Sequence, residues 1–211
     1  MPNDGYYQQL PKMSMDVPLK LAITGCIGSG KSVVSRIMEI IGVPVYDCDR
    51  RAKEIMVGDQ AVVKELKRMF GSECYREDGS LDSRYIASCI FTDSDNIKRV
   101  NSLVHPVVCR DFESWALRQG VPVVAVETAI LYESGMIDCV DKVLVVWSGR
   151  ETAIKRTMKR SGMNRRQGED RLAKQMGVEE LLLLSDFSVY NDEDKPLLPE
   201  IADLLNQLRH A

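Results

Sequence analysis

The chain has 211 residues, a formal net charge of −3 at neutral pH and 45% apolar residues. That length suits one domain with a sizeable core, and the charge excludes a generally basic, nucleic-acid-binding surface. None of the six cysteines has a C-x-x-C partner and there are only two histidines, which argues against both a zinc site and a disulfide framework.

Residues 1–18 read as a polar N-terminal extension without the apolar centre of a signal peptide. No stretch has the length of a transmembrane helix. Scattered cysteines and the absence of a membrane signal lead us to expect a cytoplasmic protein with no membrane partner. From Leu19 the sequence runs LKLAITGCIGSGKSVVSRI. Leu21, Ala22 and Ile23 predict a buried strand near 20–24. Gly25, Gly28 and Gly30 follow, and then Val33, Val34, Ile37, Met38 and Ile41 at helical spacing, with Gly42 as the stop. Strand, glycine loop and helix in that order are the context that gives G-x-x-x-x-G-K-[ST] its meaning. Gly25, Gly30, Lys31 and Ser32 hold its fixed positions. Glycine lets backbone N–H groups close on an anion, and a helix N-terminus adds partial positive charge. Lys31 is expected to reach the outer phosphates of ATP, and the Ser32 hydroxyl to ligate magnesium.

Next comes GVPVYDCD, a short strand expected near 43–46 that ends in Asp47 and Asp49. Residues from about 53 to 118 read as mostly helical. Ile97, Val100, Val104, Val107, Val108, Phe112 and Trp115 form one stripe, and Pro106 inside it predicts a bend or an interruption. Three more Val-rich runs predict strands near 121–127, 142–147 and 186–190, with Glu127 ending the third and Asn191 the fifth. Continuous apolar runs separated by helices indicate a parallel sheet covered on both faces. Between Arg150 and Arg171 there are eight Lys/Arg against three Asp/Glu, a segment suited to closing over phosphates or to forming a solvated helix face. We therefore expect an α/β P-loop NTPase fold with a five-stranded parallel sheet flanked by helices. The single domain spans 19–211. Its core comprises 19–52, 119–149 and 176–211, its inserted helical acceptor subdomain about 53–118, and its basic lid about 150–175.

In such a sheet the ligand site lies at the carboxyl ends of the strands. Phosphoryl transfer needs a held triphosphate, magnesium, a group to orient or deprotonate the acceptor hydroxyl, and cations for the spreading charge. Lys31 and Ser32 answer the first two needs, Asp49 or Asp47 the third, and arginines near 156–171 the last. One of the two aspartates also suits the cap of the following helix. Glu127 fits either a magnesium shell or a buried arginine partner, and Glu133 fits either the site or an exposed helix.

Together these segments resemble the dephospho-coenzyme A kinase family, whose members use ATP to phosphorylate the ribose 3′-hydroxyl of dephospho-CoA, the last step of coenzyme A synthesis. The resemblance rests on ITGCIGSGKSVVSR, GVPVYDCDRRAKEI, NSLVHPVV, ILYESG, VDKVLVVWSGRETAIKRTMKR, DRLAKQM and SDFSVYN, in the family's order and across nearly the whole chain beyond the extension. It implies Asp49 as catalytic base and Gly28, Ser29, Gly30, Lys31, Ser32 and Val33 as the ATP-phosphate loop. It also implies Asn191 near the nucleotide base and Arg156, Arg160, Arg165 and Arg171 in the lid. His105 would fall in the acceptor-binding helical part, and Asp47 would be left to hold magnesium-bound water or the loop backbone; we count Asp47, His105, Glu127 and Glu133 as the candidate substrate-binding residues. The sequence departs from the family's pattern at Cys26, where a second glycine is usual, in AILYE for Pro-Leu-Leu-Phe-Glu, and at Leu181, where a nearby lysine is frequent. The rival readings are another P-loop small-molecule kinase, for a nucleoside, nucleotide or shikimate-like acceptor, and a non-catalytic nucleotide-binding regulator. Oligomeric state is not legible in the sequence.

Overall fold

The computed structural model describes residues 17–92, 94–192 and 196–208, so residues 1–16 of the expected polar extension lie outside it. Five strands form one parallel sheet: β1 (Leu19–Thr24), β2 (Val45–Asp47), β3 (Val123–Glu127), β4 (Lys142–Trp147) and β5 (Phe187–Tyr190), in the order β2-β3-β1-β4-β5. These are the five runs read from the sequence. The second starts two residues later than expected because Pro44 has no N–H for the ladder, although its carbonyl still accepts from Ala125 N at 2.9 Å.

Both faces of the sheet are covered, which is why its strands are apolar throughout rather than alternating. Leu21, Ile23, Ala125, Leu144 and Val146 face α1 (Lys31–Ile40) and α9 (Leu197–Leu208), through Val34, Met38, Ile201, Leu204 and Leu208. The intervening side chains Ala22, Val124, Val126, Val143 and Val145 join the opposite cluster. That cluster is completed by the helices inserted between β2 and β3: α2 (Cys48–Gly58), α3 (Gln60–Phe70), α4 (Ser83–Thr92) and α5 (Ser94–Leu117). The helical insertion thus shares its core with one face of the sheet.

The long helix α5 buries Val100, Val104, Val108, Phe112 and Ala116, every fourth residue, whereas Ile97 at its start is 43% exposed. It continues through Pro106 as one helix, contrary to the expected interruption. Pro106 lies on the exposed face, so the carbonyl that loses its helical donor can turn to water while the buried stripe keeps its register. Two further helices follow β4. The first, α6 (Arg150–Ser161), ends at Gly162 in the left-handed region. The second, α7 (Arg165–Leu172), starts in a capping box in which Asn164 and Gln167 satisfy each other's backbone N–H groups. A short helix, α8 (Val178–Leu183), leads into β5.

Candidate active site

The loop after β1 is shaped by what crowds its backbone. Gly30 has φ +91°, and a Cβ there would lie 1.9 Å from Asn191 Nδ2; one on Gly28 would lie 2.1 Å from the Ala153 carbonyl of α6. Only glycine fits either place. Asn191, 7% exposed, sits just past β5. Its Nδ2 donates to Ser29 O at 2.8 Å and its main-chain N–H to Trp147 O at 2.7 Å, while its own carbonyl accepts from Arg156 Nη1 at 3.0 Å. Asn191 therefore braces the loop against the sheet and α6. It does not line the cavity described below. A second brace comes from Gln175 Oε1, which accepts from Ile27 N at 2.7 Å.

Lys31 opens α1 with its ammonium folded back onto its own loop, donating to Gly25 O at 2.7 Å and Cys26 O at 3.1 Å. Burial pulls its pKa below the ordinary lysine value, and Glu127 acts in the opposite direction. Ser32 and Val33 are exposed. Cys26, in the place of the family's usual second glycine, directs its Sγ toward Met176 O at 3.5 Å, and burial raises its thiol pKa.

The acids come from sheet register. Parallel pairing sets Asp47 of β2 beside Glu127 of β3, and Glu127 beside Ile23 of β1. Asp47 is the N-cap of α2, accepting from Arg50 N at 3.0 Å, while Asp49 lies in the first turn. Both positions favour negative charge, because that helix end exposes its N–H groups. Asp47, Asp49, Glu127, Gly28, Gly30, Lys31, Ser32 and Val33 line a single cavity of about 450 Å³. Arg156, Arg160 and Arg171 complete its wall from α6 and α7. Arg165 is not brought there. It faces outward, its Nη2 2.6 Å from Glu151 Oε1 and its Nε 2.9 Å from Glu169 Oε1, joining α6 to α7.

His105 and Glu133 meet in a different cavity, of about 510 Å³, between α5 and the segment after β3. Burial lowers the His105 pKa, with the Ser134 backbone opposing. In the same wall Cys109 is paired with Cys139 as a disulfide, Cα atoms 6.3 Å apart. Their separation of 30 residues gave no sequence signal, and they form a single bridge rather than the framework argued against above. Nearer the sheet, Tyr46 OH donates to Asp111 Oδ2 at 2.6 Å, and Arg51 Nε and Nη2 donate to the same oxygen at 3.0 and 2.7 Å. Tyr46 also packs against Phe112 and Trp115, with ring centroids 5.2 and 5.3 Å away.

Several cavity residues carried no recognisable signal. Thr128 and Ala129 enter because β3 ends beside β1, and Thr157 because its hydroxyl turns back onto Ala153 O, one helical turn away, beneath Gly28. Gln175 stands within DRLAKQM, a segment quoted above for its resemblance, but nothing in the stretch marks that side chain as a loop brace.

Residues 19–196 match the family model described as CoaE, dephospho-CoA kinase. A dephospho-CoA kinase of Bacteroides fragilis is 36% identical over 188 residues, covering 89% of this chain and 91% of that protein. One of Geobacter sulfurreducens is 40% identical over 164 residues, covering 76% and 83%. Among solved structures, TT1252 from Thermus thermophilus superposes with a TM-score of 0.80 at 30% identity, covering 91% of this chain and 98% of that one.

Proposed function

The chain belongs to the dephospho-CoA kinase family, and on that premise we propose that it transfers the γ-phosphoryl group of ATP to the ribose 3′-hydroxyl of dephospho-CoA. The observation that carries this reading is the meeting, in one cavity, of the glycine loop with Lys31, the acids Asp47, Asp49 and Glu127, and three lid arginines. Loop N–H groups cradle the phosphates. Lys31 leaves the carbonyls of Gly25 and Cys26 to reach the outer phosphates. Asp49 takes the proton of the acceptor hydroxyl; Asp47 already spends one oxygen on the α2 cap. Arg156, Arg160 and Arg171 meet the charge that spreads over the transferring group.

The donor set beside the loop consists of oxygens, the Ser32 hydroxyl with the carboxylates of Asp47, Asp49 and Glu127, and this hard set suits magnesium. Ser32 would hold the ion with those carboxylates around it, and magnesium supplies neutralising charge to the phosphates. His105 and Glu133 serve the acceptor side. Among the described residues no helix is long and apolar enough to cross a membrane.

The test is ADP release measured with ATP and magnesium, with and without dephospho-CoA, and with adenosine, AMP or shikimate in its place. Dephospho-CoA should be much the fastest acceptor. A faster initial rate with AMP or shikimate would move the assignment to another small-molecule kinase, and no acceptor-dependent release would end the transferase reading.

A further inference from the structure

The cavity holding His105 and Glu133 has a reactive wall that phosphoryl transfer does not use. Cys109 lies on α5, one turn after His105. Cys139 ends the short 3-10 turn Met136–Cys139, and both cysteines line the cavity. Their Cα separation of 6.3 Å falls inside the range a disulfide spans without moving the backbone. Cys139 is 5% exposed, whereas Cys109 is only half-buried. Cys109 is therefore the more accessible residue of the pair. The segment that begins beside the phosphate loop with Thr128 and Ala129 reaches this second cavity at Glu133, so one short stretch of chain borders both.

We propose that the Cys109–Cys139 pair is a thiol-exchange site for the acceptor itself. The assignment rests on the acceptor proposed above, since dephospho-CoA carries a free thiol at the end of its long pantetheine arm. In the step, the acceptor thiol loses its proton to solvent and its sulfur attacks Cys109 Sγ. The Cys109–Cys139 bond breaks, a mixed disulfide forms on Cys109, and the Cys139 thiolate takes a proton from water. One disulfide replaces another, so no outside oxidant or reductant is needed.

Glu113 sets the pace. Its carboxylate and the two sulfurs lie within 4.8 Å of one another. A negative charge so near disfavours a thiolate at either sulfur, as attacker or as leaving group, and favours the uncharged disulfides on both sides of the exchange. Exchange also releases the covalent tie between α5 and the segment bearing Glu133, leaving the phosphate loop untouched.

The experiment treats the full-length protein, in its disulfide form, with dephospho-CoA, stops the exchange with acid, alkylates the thiols then free with excess N-ethylmaleimide, and reads the product by mass spectrometry without reductant. We expect one added dephospho-CoA on Cys109 and one alkylation on Cys139, and no adduct with S-methylated dephospho-CoA. Glu113→Gln should speed adduct formation about fourfold, the worth of one like charge near 5 Å in a water-like dielectric. Cys139→Ser, treated with the symmetric disulfide of dephospho-CoA, should carry the same adduct on Cys109. An adduct on Cys26, Cys48, Cys74 or Cys89 instead, no adduct at all, or equal rates for dephospho-CoA and glutathione would overturn the proposal. ADP release measured on the same samples separates the two readings: turnover without an adduct ends the exchange site alone, and an adduct without turnover ends the transferase reading alone.

Discussion

The two cavities are built by different means. Around the phosphate loop, backbone is fitted against backbone and short side chains: Gly28 lies under Ala153 O, Gly30 under Asn191, and Ile27 N on Gln175. Around α5, side chains do the joining, Cys109 with Cys139 in the wall of the second cavity and Tyr46, Arg51 and Asp111 in a network outside it. A backbone-built site tolerates almost no added atom, because the crowding groups belong to the sheet and to α6. A side-chain-built site can change its fittings while the helices stay in place.

The sharpest way to break the comparison is at the seam, where the acids of β2 and α2 face the loop. We expect Asp49→Asn to retain ATP binding and lose ~10²–10⁴-fold in turnover, the usual worth of a general base. Asp47→Asn should cost less turnover and leave stability nearly unchanged, because asparagine caps a helix about as well as aspartate. Turnover at saturating substrates over a range of magnesium concentrations, with thermal melts of both variants, checks the pair, and a dead Asp47→Asn beside a nearly normal Asp49→Asn would reverse the roles. Next in size is Lys31→Met. Loss of a charge that meets the phosphates should reduce turnover ~10²–10³-fold with an unchanged circular dichroism spectrum; an undiminished rate would remove the loop from the chemistry.

Gly30→Ala tests the crowding itself. The left-handed backbone alone disfavours a Cβ by about 1–2 kcal/mol, and the overlap with Asn191 Nδ2 adds to it. ATP affinity and melting temperature should both fall. Adding Asn191→Ala should recover part of neither, because it removes the overlap together with the brace on Ser29. Clear recovery in the double variant would make Asn191 a mere neighbour.

The lid arginines divide in the same way. Arg160→Ala and Arg171→Ala, which line the cavity, should each lower turnover more than ATP affinity, as the proposed contact with the transferring charge requires. Arg165→Ala should change turnover by less than about twofold, as its partners Glu151 and Glu169 are exposed. Equal losses at all three would erase that division.

How legible this was from sequence depended on range. The phosphate loop occupies consecutive residues, so its spacing alone revealed it, and the Val-rich runs likewise marked the sheet. Which aspartate caps α2 was not legible, because Asp47 and Asp49 are both acids at one helix start, and the choice depends on which side chain turns to Arg50 N. The basic run from Arg150 to Arg171 could not say which guanidinium its own glutamates occupy. The resemblance implied a place for Asn191 near the nucleotide base, but no local pattern encodes its hydrogen bond to Ser29 O, 162 residues away. The pairing of Cys109 with Cys139 depends on how α5 packs, and no local pattern encodes that.

The smallest expected effect concerns acid. Burial raises the Asp111 carboxyl pKa, but hydrogen bonds from Tyr46 and Arg51 outweigh it and hold it below the ordinary aspartate value. A carboxyl depressed on folding stabilises the native state above its unfolded pKa, and that stability is lost as pH falls through the folded value. Melting temperature followed downward from about pH 5 should therefore fall less steeply in Asp111→Asn than in the parent. Parallel curves would mean that the network carries no acid-side stability.

The strand order has a consequence for synthesis. The strand that carries the phosphate loop, β1, is made first and lies at the centre of the sheet, yet its hydrogen-bonding neighbours begin at Val123 and Lys142. On the ribosome it has no parallel partner until well over half the chain has been made. Through that interval the loop that will hold ATP has no sheet beneath it, so the nascent chain acquires its nucleotide site late although it encodes it early.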